Sequence, residues 1–435
     1  MSKKITLNHI TKVEGHANLD VEIEDGKLVK CNLGAVEGAR FFEGIVVGRK
    51  YDEIKEITTR ICGICSVGHS MTSLKATEDA FGIQVSEQTR LLRELMSIGE
   101  RLRSHATHLY FLALPDYLGY ESAIEMAPKY KKEIERALNL MRVGNEIVTK
   151  IGGRQMHPVS SVVGGFTRVP SKKNIESLLS LLKKSRHYAI ETLKFFSELN
   201  YPILEINSEH IALYREKGQP LLEGPIISDK GLKTTSHNYV DFIEEYIVKH
   251  STAKFAVRNG KGYVTGALSR INLNYRNIGY DIKRILSKNH ILFPSKNIFH
   301  NNVAQAVELV YWLDTAIQIL EENEFRPEPI VEFETRAGLG RAATEVPRGI
   351  LFHEYEFDEK GYVKECNIIT PTVQNLRSME EHILAYINDM LAVNKNKDYI
   401  TLEIEKLIRA YDPCFSCSAH FLKVNWKEIR DQGLS

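Results

Sequence analysis

The chain has 435 residues, of which 43% are apolar and 26% charged, and its net charge is +1. This balance reads as a water-soluble globular protein with room for one large core, and it gives no electrostatic case for nucleic acid or an anionic membrane. No apolar run is long enough for a transmembrane helix, so no membrane span is expected.

The first residues, Met1-Ser-Lys-Lys-Ile-Thr, lack the apolar segment of a signal peptide, and a cytoplasmic location is the expectation. Alternation over 5–10, 18–24 and 27–33, with Asp25-Gly26 as a turn, predicts three strands. Helical periodicity then dominates. It covers 86–114, with Leu91, Leu92, Leu95, Ile98, Leu102 and His105 on one stripe, then 129–151 before Gly152-Gly153, and 171–199. The glycine-punctuated stretch 152–165 reads as an ordered connection. Further helices are predicted at 238–250, 302–322, 378–393 and 402–411, and a second β patch at 349–357 and 361–369. With no internal repeat or low-complexity linker, the expected fold is α-rich α+β. A large helical core carries small β appendages, and the two ends of the chain meet.

Four of the six cysteines form two CxxC pairs near opposite ends of the chain. Cys62 and Cys65 lie in Arg60-Ile-Cys-Gly-Ile-Cys-Ser-Val-Gly-His69, and Cys414 and Cys417 in Asp412-Pro-Cys-Phe-Ser-Cys-Ser-Ala-His420. If the pairs converge, four thiolates meet at one point and define a site for a soft transition metal. Cys31 and Cys366 stand alone. Zinc is the common occupant of paired CxxC motifs, but its ribbons join their halves over roughly 15–20 residues, whereas these pairs are separated by most of the chain. An iron–sulfur cluster is open too, although neither pair matches the ferredoxin runs. Arg60, His69, Asp412 and His420 beside the cysteines point to tuned metal chemistry, while each histidine taken alone is as readily a satisfied core residue.

The two signatures resemble those of the large subunit of nickel–iron hydrogenases. Supporting stretches fall in the family order: Lys12-Val-Glu-Gly-His16, Arg40-Phe-Phe-Glu43, Ala113-Leu-Pro-Asp116, Glu345-Val-Pro-Arg-Gly349 and Thr370-Pro-Thr-Val-Gln-Asn-Leu376. The resemblance implies nickel bound by all four thiolates, with Cys62 and Cys414 terminal. Cys65 and Cys417 would bridge nickel to an iron carrying carbon monoxide and cyanide. It implies that Cys414 takes the proton when dihydrogen splits and that Glu14 relays it. The resemblance also implies that Arg348 stands over the open metal site, though by itself it reads as an ion pair with Asp116 or Asp412. By the same resemblance Asp116 and Asp412 would lie near the metals, Thr372 would donate to cyanide, Pro371 and Pro347 would wall the diatomic ligands, and His69 would hydrogen-bond a bridging sulfur. Glu43, His420 and the Leu376 carbonyl would hold magnesium or another divalent ion.

Lys12 replaces a frequent arginine, and Arg40-Phe-Phe-Glu43 differs from the membrane-bound uptake enzymes. Both point to the cytoplasmic branch that couples to soluble carriers, and Arg409-Ala-Tyr-Asp-Pro-Cys-Phe-Ser-Cys-Ser-Ala-His420 looks most like the bidirectional, NAD(P)-linked group that includes the sulfhydrogenases. The family implies one unit over 1–420 and an extension, 421–435, removed by a maturation protease after nickel-insertion factors have acted. With four cysteines assigned to nickel, two remain, too few for a four-thiolate cluster, and no GxGxxG follows a strand. An iron–sulfur small subunit is therefore an expected partner, with a flavin-containing diaphorase beyond it. The competing readings are a non-catalytic scaffold resembling the quinone-proximal subunit of respiratory complex I, which lacks the cysteine quartet, and a zinc-stabilised structural protein.

Overall fold

The structure, a computed structural model, describes residues 3–7, 10–24, 27–37 and 41–419. Four long helices make its centre: Glu87–Thr107, Lys131–Gly152, Lys172–Ser197 and Asn301–Glu322. The first and third start on serines, Ser86 and Ser171, whose side chains accept from the Thr89 and Asn174 amides. Asn301–Glu322 is apolar nearly all round and is buried accordingly. Glu87–Thr107 runs on through a π turn, His108–Ala113, into Leu114–Leu118, so the periodic run 86–114 is one helical rod with a widened turn.

Two antiparallel meanders flank this core. The first joins Lys3–Leu7, Ala17–Glu24 and Lys27–Ala35. Ala17, Leu19, Val21 and Ile23 point inward by strict alternation. The Leu28 and Leu33 amides donate to Asn388 and Glu380 of the Pro371–Ala392 helix at 2.8 and 3.0 Å. The second meander joins Gly338–Val346, Gly349–Phe357 and Val363–Ile369. Its first turn pairs Val346 with Gly349 and leaves Pro347 and Arg348 at the hairpin tip. The Ser66–Phe81 helix, which follows the first cysteine pair, lies directly on this sheet. Gly340 permits the approach, since a Cβ there would stand 1.9 Å from the Ala76 carbonyl oxygen. Leading strand and leading helix thus deliver Arg348 and Cys65 to one place.

The fold class is the α-rich α+β expected. Among the described residues no helix is long and apolar enough to cross a membrane. The helix expected at 238–250 is absent. A 3-10 turn, Ser236–Asp241, gives way to a strand, Glu244–Ile247, paired with Lys254–Val257. The apolar residues there mimic helical spacing, but they are aromatic or β-branched, and pairing with a strand whose Phe255, Ala256 and Val257 are buried decides the conformation. The helix expected from 378 begins at Pro371, and that expected from 402 begins at Lys397 on an Asn396 cap. The turn at Asp25-Gly26 lies outside the described residues.

Candidate metal centre

Cys62 follows a 3-10 turn, Thr59–Ile61, and Cys65 caps the Ser66–Phe81 helix. Two side chains of Glu87–Thr107 clamp this loop. Arg103 donates through Nη2 to the Ile64 carbonyl at 2.6 Å and through Nη1 to the Gln155 carbonyl at 2.7 Å. The Glu100 carboxylate accepts from the Val67 and Gly68 amides at 2.7 and 3.0 Å, in the first turn of the helix. Burial pushes the Glu100 carboxyl up to about 7.

The second pair sits where the chain's ends meet. Cys414 bridges Glu14 as a short strand contact, and the Phe415 amide donates to the Glu14 carbonyl at 2.9 Å. The Cys414 amide donates to Thr372 Oγ1 at 2.9 Å, and Cys417 rides on the single turn Phe415–Ser418. The four sulfurs all lie within 4.8 Å of one another, with Cys62 to Cys414 at 3.7 Å and Cys65 to Cys417 at 3.1 Å. All four cysteines are buried.

This donor set fits a cationic centre. Burial pushes the Cys414 and Cys417 thiols well above their ordinary range, while hydrogen bonds from Cys414, Cys417 and Cys65 hold Cys62 well below it. The sulfurs by themselves thus favour a mixture of thiol and thiolate, and ionising all four takes positive charge among them.

Around the quartet stand the other residues singled out from the sequence. Glu14 Oε2 accepts from Cys414 Sγ at 2.8 Å, and Ser416 Oγ donates to Glu14 Oε1. Gly15, at φ +84°, lets the two segments touch, because a Cβ there would stand 2.6 Å from the Ser416 nitrogen. Arg348, at the hairpin tip, donates through Nε to the Asp412 carbonyl at 2.7 Å and places Nη2 3.0 Å from Asp412 Oδ1. A small cavity beside the sulfurs is lined by Cys65, Cys414, Cys417, His69, Val346, Pro347, Arg348, Leu351, Thr370, Pro371 and Thr372. Two buried polar atoms of that lining, Arg348 Nη1 and Thr370 Oγ1, have no protein partner. They suit polar ligands within the cavity.

Asp116 is buried but pairs with Arg409 Nη1 at 2.5 Å and with Lys12, not with Arg348. Through Arg409 it stiffens the approach to Asp412. His69 Nδ1 lies 3.1 Å from His353 Nε2, and His353 Nδ1 lies 2.6 Å from the Tyr355 hydroxyl. Arg60 is exposed, unlike Asp412. Glu43 Oε1 accepts from the Ile368 amide at 2.9 Å and from Lys254 Nζ at 3.3 Å; Leu376 is fully buried; His420 lies outside the described residues. Sequence reasoning missed Thr370, Gln305, Glu308, Arg270 and Arg101. For Gln305 and Glu308 the legible signal was a row of polar residues on the otherwise apolar helix Asn301–Glu322.

A buried quartet of thiols gathered from both ends of an α-rich chain, under a guanidinium and beside a carboxylate, defines a redox metalloenzyme of the soft-metal kind. A family profile described as nickel-dependent hydrogenase matches residues 40–138 and 246–420. The chain is 38% identical to sulfhydrogenase 1 subunit alpha of Pyrococcus furiosus over 97% of this chain and 98% of that one. It is 34% identical to sulfhydrogenase 2 subunit alpha of the same organism over 97% and 100%. Its fold matches a crystal structure of an NAD+-reducing [NiFe]-hydrogenase in the H2-reduced state, with a TM-score of 0.83 at 23% identity, covering 96% of this chain and 99% of that one. The chain belongs to the nickel-dependent hydrogenase family and is the catalytic, metal-bearing subunit of a nickel–iron hydrogenase. The scaffold and zinc readings fall with that membership.

Proposed function

We propose that Cys62, Cys65, Cys414 and Cys417 would hold nickel, Cys62 and Cys414 as terminal ligands, and that Cys65 and Cys417 would be shared with an iron that would carry carbon monoxide and cyanide. The observation that carries the reading is the 2.8 Å contact from Cys414 Sγ to Glu14 Oε2 at the edge of the buried quartet. Bound there, the bimetallic centre supplies reversible heterolytic cleavage of dihydrogen. The chain's own residues handle the proton and the pocket. Cys414 Sγ holds the proton and passes it to Glu14 Oε2, and Ser416 steadies that carboxylate by donating to its other oxygen. Arg348 and the Thr372 hydroxyl would present donors to cyanide on the iron, and Pro347 and Pro371 exclude water on the same wall. His69, held through Nδ1 by His353, would hydrogen-bond a sulfur of the quartet. Asp116 and Asp412 hold the cationic side chains that frame the site.

Glu43, the Leu376 carbonyl and His420 would hold magnesium or another divalent ion, and residues 1–420 would act as one unit once a maturation protease has removed 421–435. Electrons leave through an iron–sulfur small subunit to a flavin-containing diaphorase and a soluble acceptor, NAD(P), in the cytoplasm. The sulfhydrogenase relatives are themselves alpha subunits, which supports an assembly of several chains. Elemental analysis and infrared spectroscopy of the purified native complex test the centre together. Nickel, iron and the bands of bound carbon monoxide and cyanide are expected. Zinc without nickel sinks the assignment.

A further inference from the structure

The Asn301–Glu322 helix is buried almost all round, yet Asn301, Gln305 and Glu308 bring polar side chains to it at i, i+4 and i+7. That spacing makes a single stripe. Burying a carboxylate with guanidiniums is costly unless the pairing is nearly complete, and the pairing here converges on one residue.

Glu308 receives Arg270 through Nε at 2.6 Å and Nη2 at 2.8 Å, and Arg101 through Nη1 at 3.2 Å. Arg270 turns its remaining donors to Glu345 Oε2 at 2.9 Å, the Val346 carbonyl at 3.0 Å and the Pro347 carbonyl at 2.8 Å. Arg101 Nη2 donates to the Glu345 carbonyl at 2.7 Å. The three carbonyls immediately before Arg348 are thus each held by a buried guanidinium. From the other side, Gln305 Nε2 donates to Asp412 Oδ2 at 3.0 Å, and Asn301 Nδ2 donates to the Ala410 carbonyl at 2.7 Å. Asp412 is the partner that takes the Arg348 side chain. One helix therefore grips both the hairpin that carries Arg348 and the acceptor that orients it. The guanidinium nitrogen left without a protein partner is Nη1, in the lining of the cavity beside the quartet.

We propose that Gln305 and Glu308 are positioning residues that set the Arg348 guanidinium over the metal cavity, an inference that rests on the nickel–iron assignment above. Infrared spectroscopy of the nickel-loaded complex reads it, in Gln305→Met, Glu308→Gln, Arg348→Lys and their pairwise combinations. Glu308→Gln leaves two buried arginines short of counter-charge and risks the fold. Gln305→Met keeps the volume and removes the contacts to Asp412 and to His108 Nδ1, the latter 2.6 Å from Gln305 Oε1, and it buries no new charge, so it carries the test alone if the other fails to fold.

The positioning variants are expected to retain nickel, to shift the cyanide bands toward those of Arg348→Lys, and to slow dihydrogen–deuterium exchange about tenfold or more. Adding either to Arg348→Lys should shift the bands no further, since residues that act through Arg348 have nothing left to move. Unshifted cyanide bands in nickel-loaded Gln305→Met, or shifts that add in the double variants, overturn the positioning role and leave the nickel–iron assignment standing. A wild-type complex that takes up no nickel overturns both.

Discussion

At the Cys414 sulfur two demands meet, metal ligation and proton acceptance, and the residues around it separate them. Its amide is fixed by Thr372, so the sulfur's position does not depend on the proton it carries. The proton has a separate acceptor in Glu14 Oε2, close enough for direct transfer. Cys414→Ser should therefore abolish dihydrogen turnover, because a hydroxyl is a poor soft-metal ligand at this site. Glu14→Gln should keep nickel and iron, since the amide retains the shape and can still meet Ser416. It should nonetheless lower dihydrogen–deuterium exchange by about 10²–10⁴-fold, the range for loss of a positioned proton carrier. Metal content and isotope exchange on the same preparations check both. Full exchange in Glu14→Gln would show that the proton leaves another way.

At the scale of elements, the first cysteine loop depends on a helix crossing remote from it. Glu87–Thr107 and Lys131–Gly152 touch backbone to backbone: a Cβ on Gly144 would stand 2.3 Å from the Gly99 carbonyl oxygen and 2.8 Å from the Arg103 nitrogen. Arg103 is the residue that clamps the Ile64 and Gln155 carbonyls. Gly144→Ala should cost about 1–3 kcal/mol by overpacking and lower nickel occupancy by displacing Arg103. Denaturation and nickel analysis read the two effects, and wild-type values for both would refute the link. The Lys131–Gly152 helix itself was plain from its periodicity and its terminal glycines. The crossing partner was not, because nothing in one strip of sequence says which glycine meets which. The same holds at the centre. The quartet, Glu14, Arg348 and Asp412 stood out because their motifs are local, and the structure gathers them. Gln305, Glu308 and Arg270 act across long chain separations and showed only as polar residues in apolar helices. The helix expected at 238–250 failed for a related reason, since its apolar spacing suited two conformations and a partner strand chose between them.

For the whole molecule, the centre is a stitch between chain ends. Metal bound by the quartet would tie residues 62–65 to 414–417 and close a loop of nearly the full chain, which constrains the ends far more than their own contacts do. Among the described residues those contacts include the Phe415 amide on the Glu14 carbonyl, the Glu14 side chain on Cys414 and Ser416, and Arg409 Nε on the Thr11 carbonyl at 3.0 Å. The helical centre is different. Leu92, Leu95, Ile98, Leu102, Val143, Ile147 and Leu309 sit in one large apolar cluster, which Phe415 joins with its side chain, while the four ligand cysteines belong to a smaller cluster of their own. Metal bound at a thousandfold its dissociation constant adds about 4 kcal/mol to whatever opening breaks the site, and nothing to openings elsewhere. Nickel removal should therefore speed amide hydrogen exchange at Phe415 and the Cys414 segment by about 10²-fold or more, while amides of Glu87–Thr107 C-terminal to the Glu100 clamp stay protected. Hydrogen-exchange mass spectrometry on nickel-loaded and nickel-free complex distinguishes this from its rival. A uniform rise across the chain would mean that the metal holds the entire fold together, and an unchanged Phe415 amide would mean that the chain's ends are held without it.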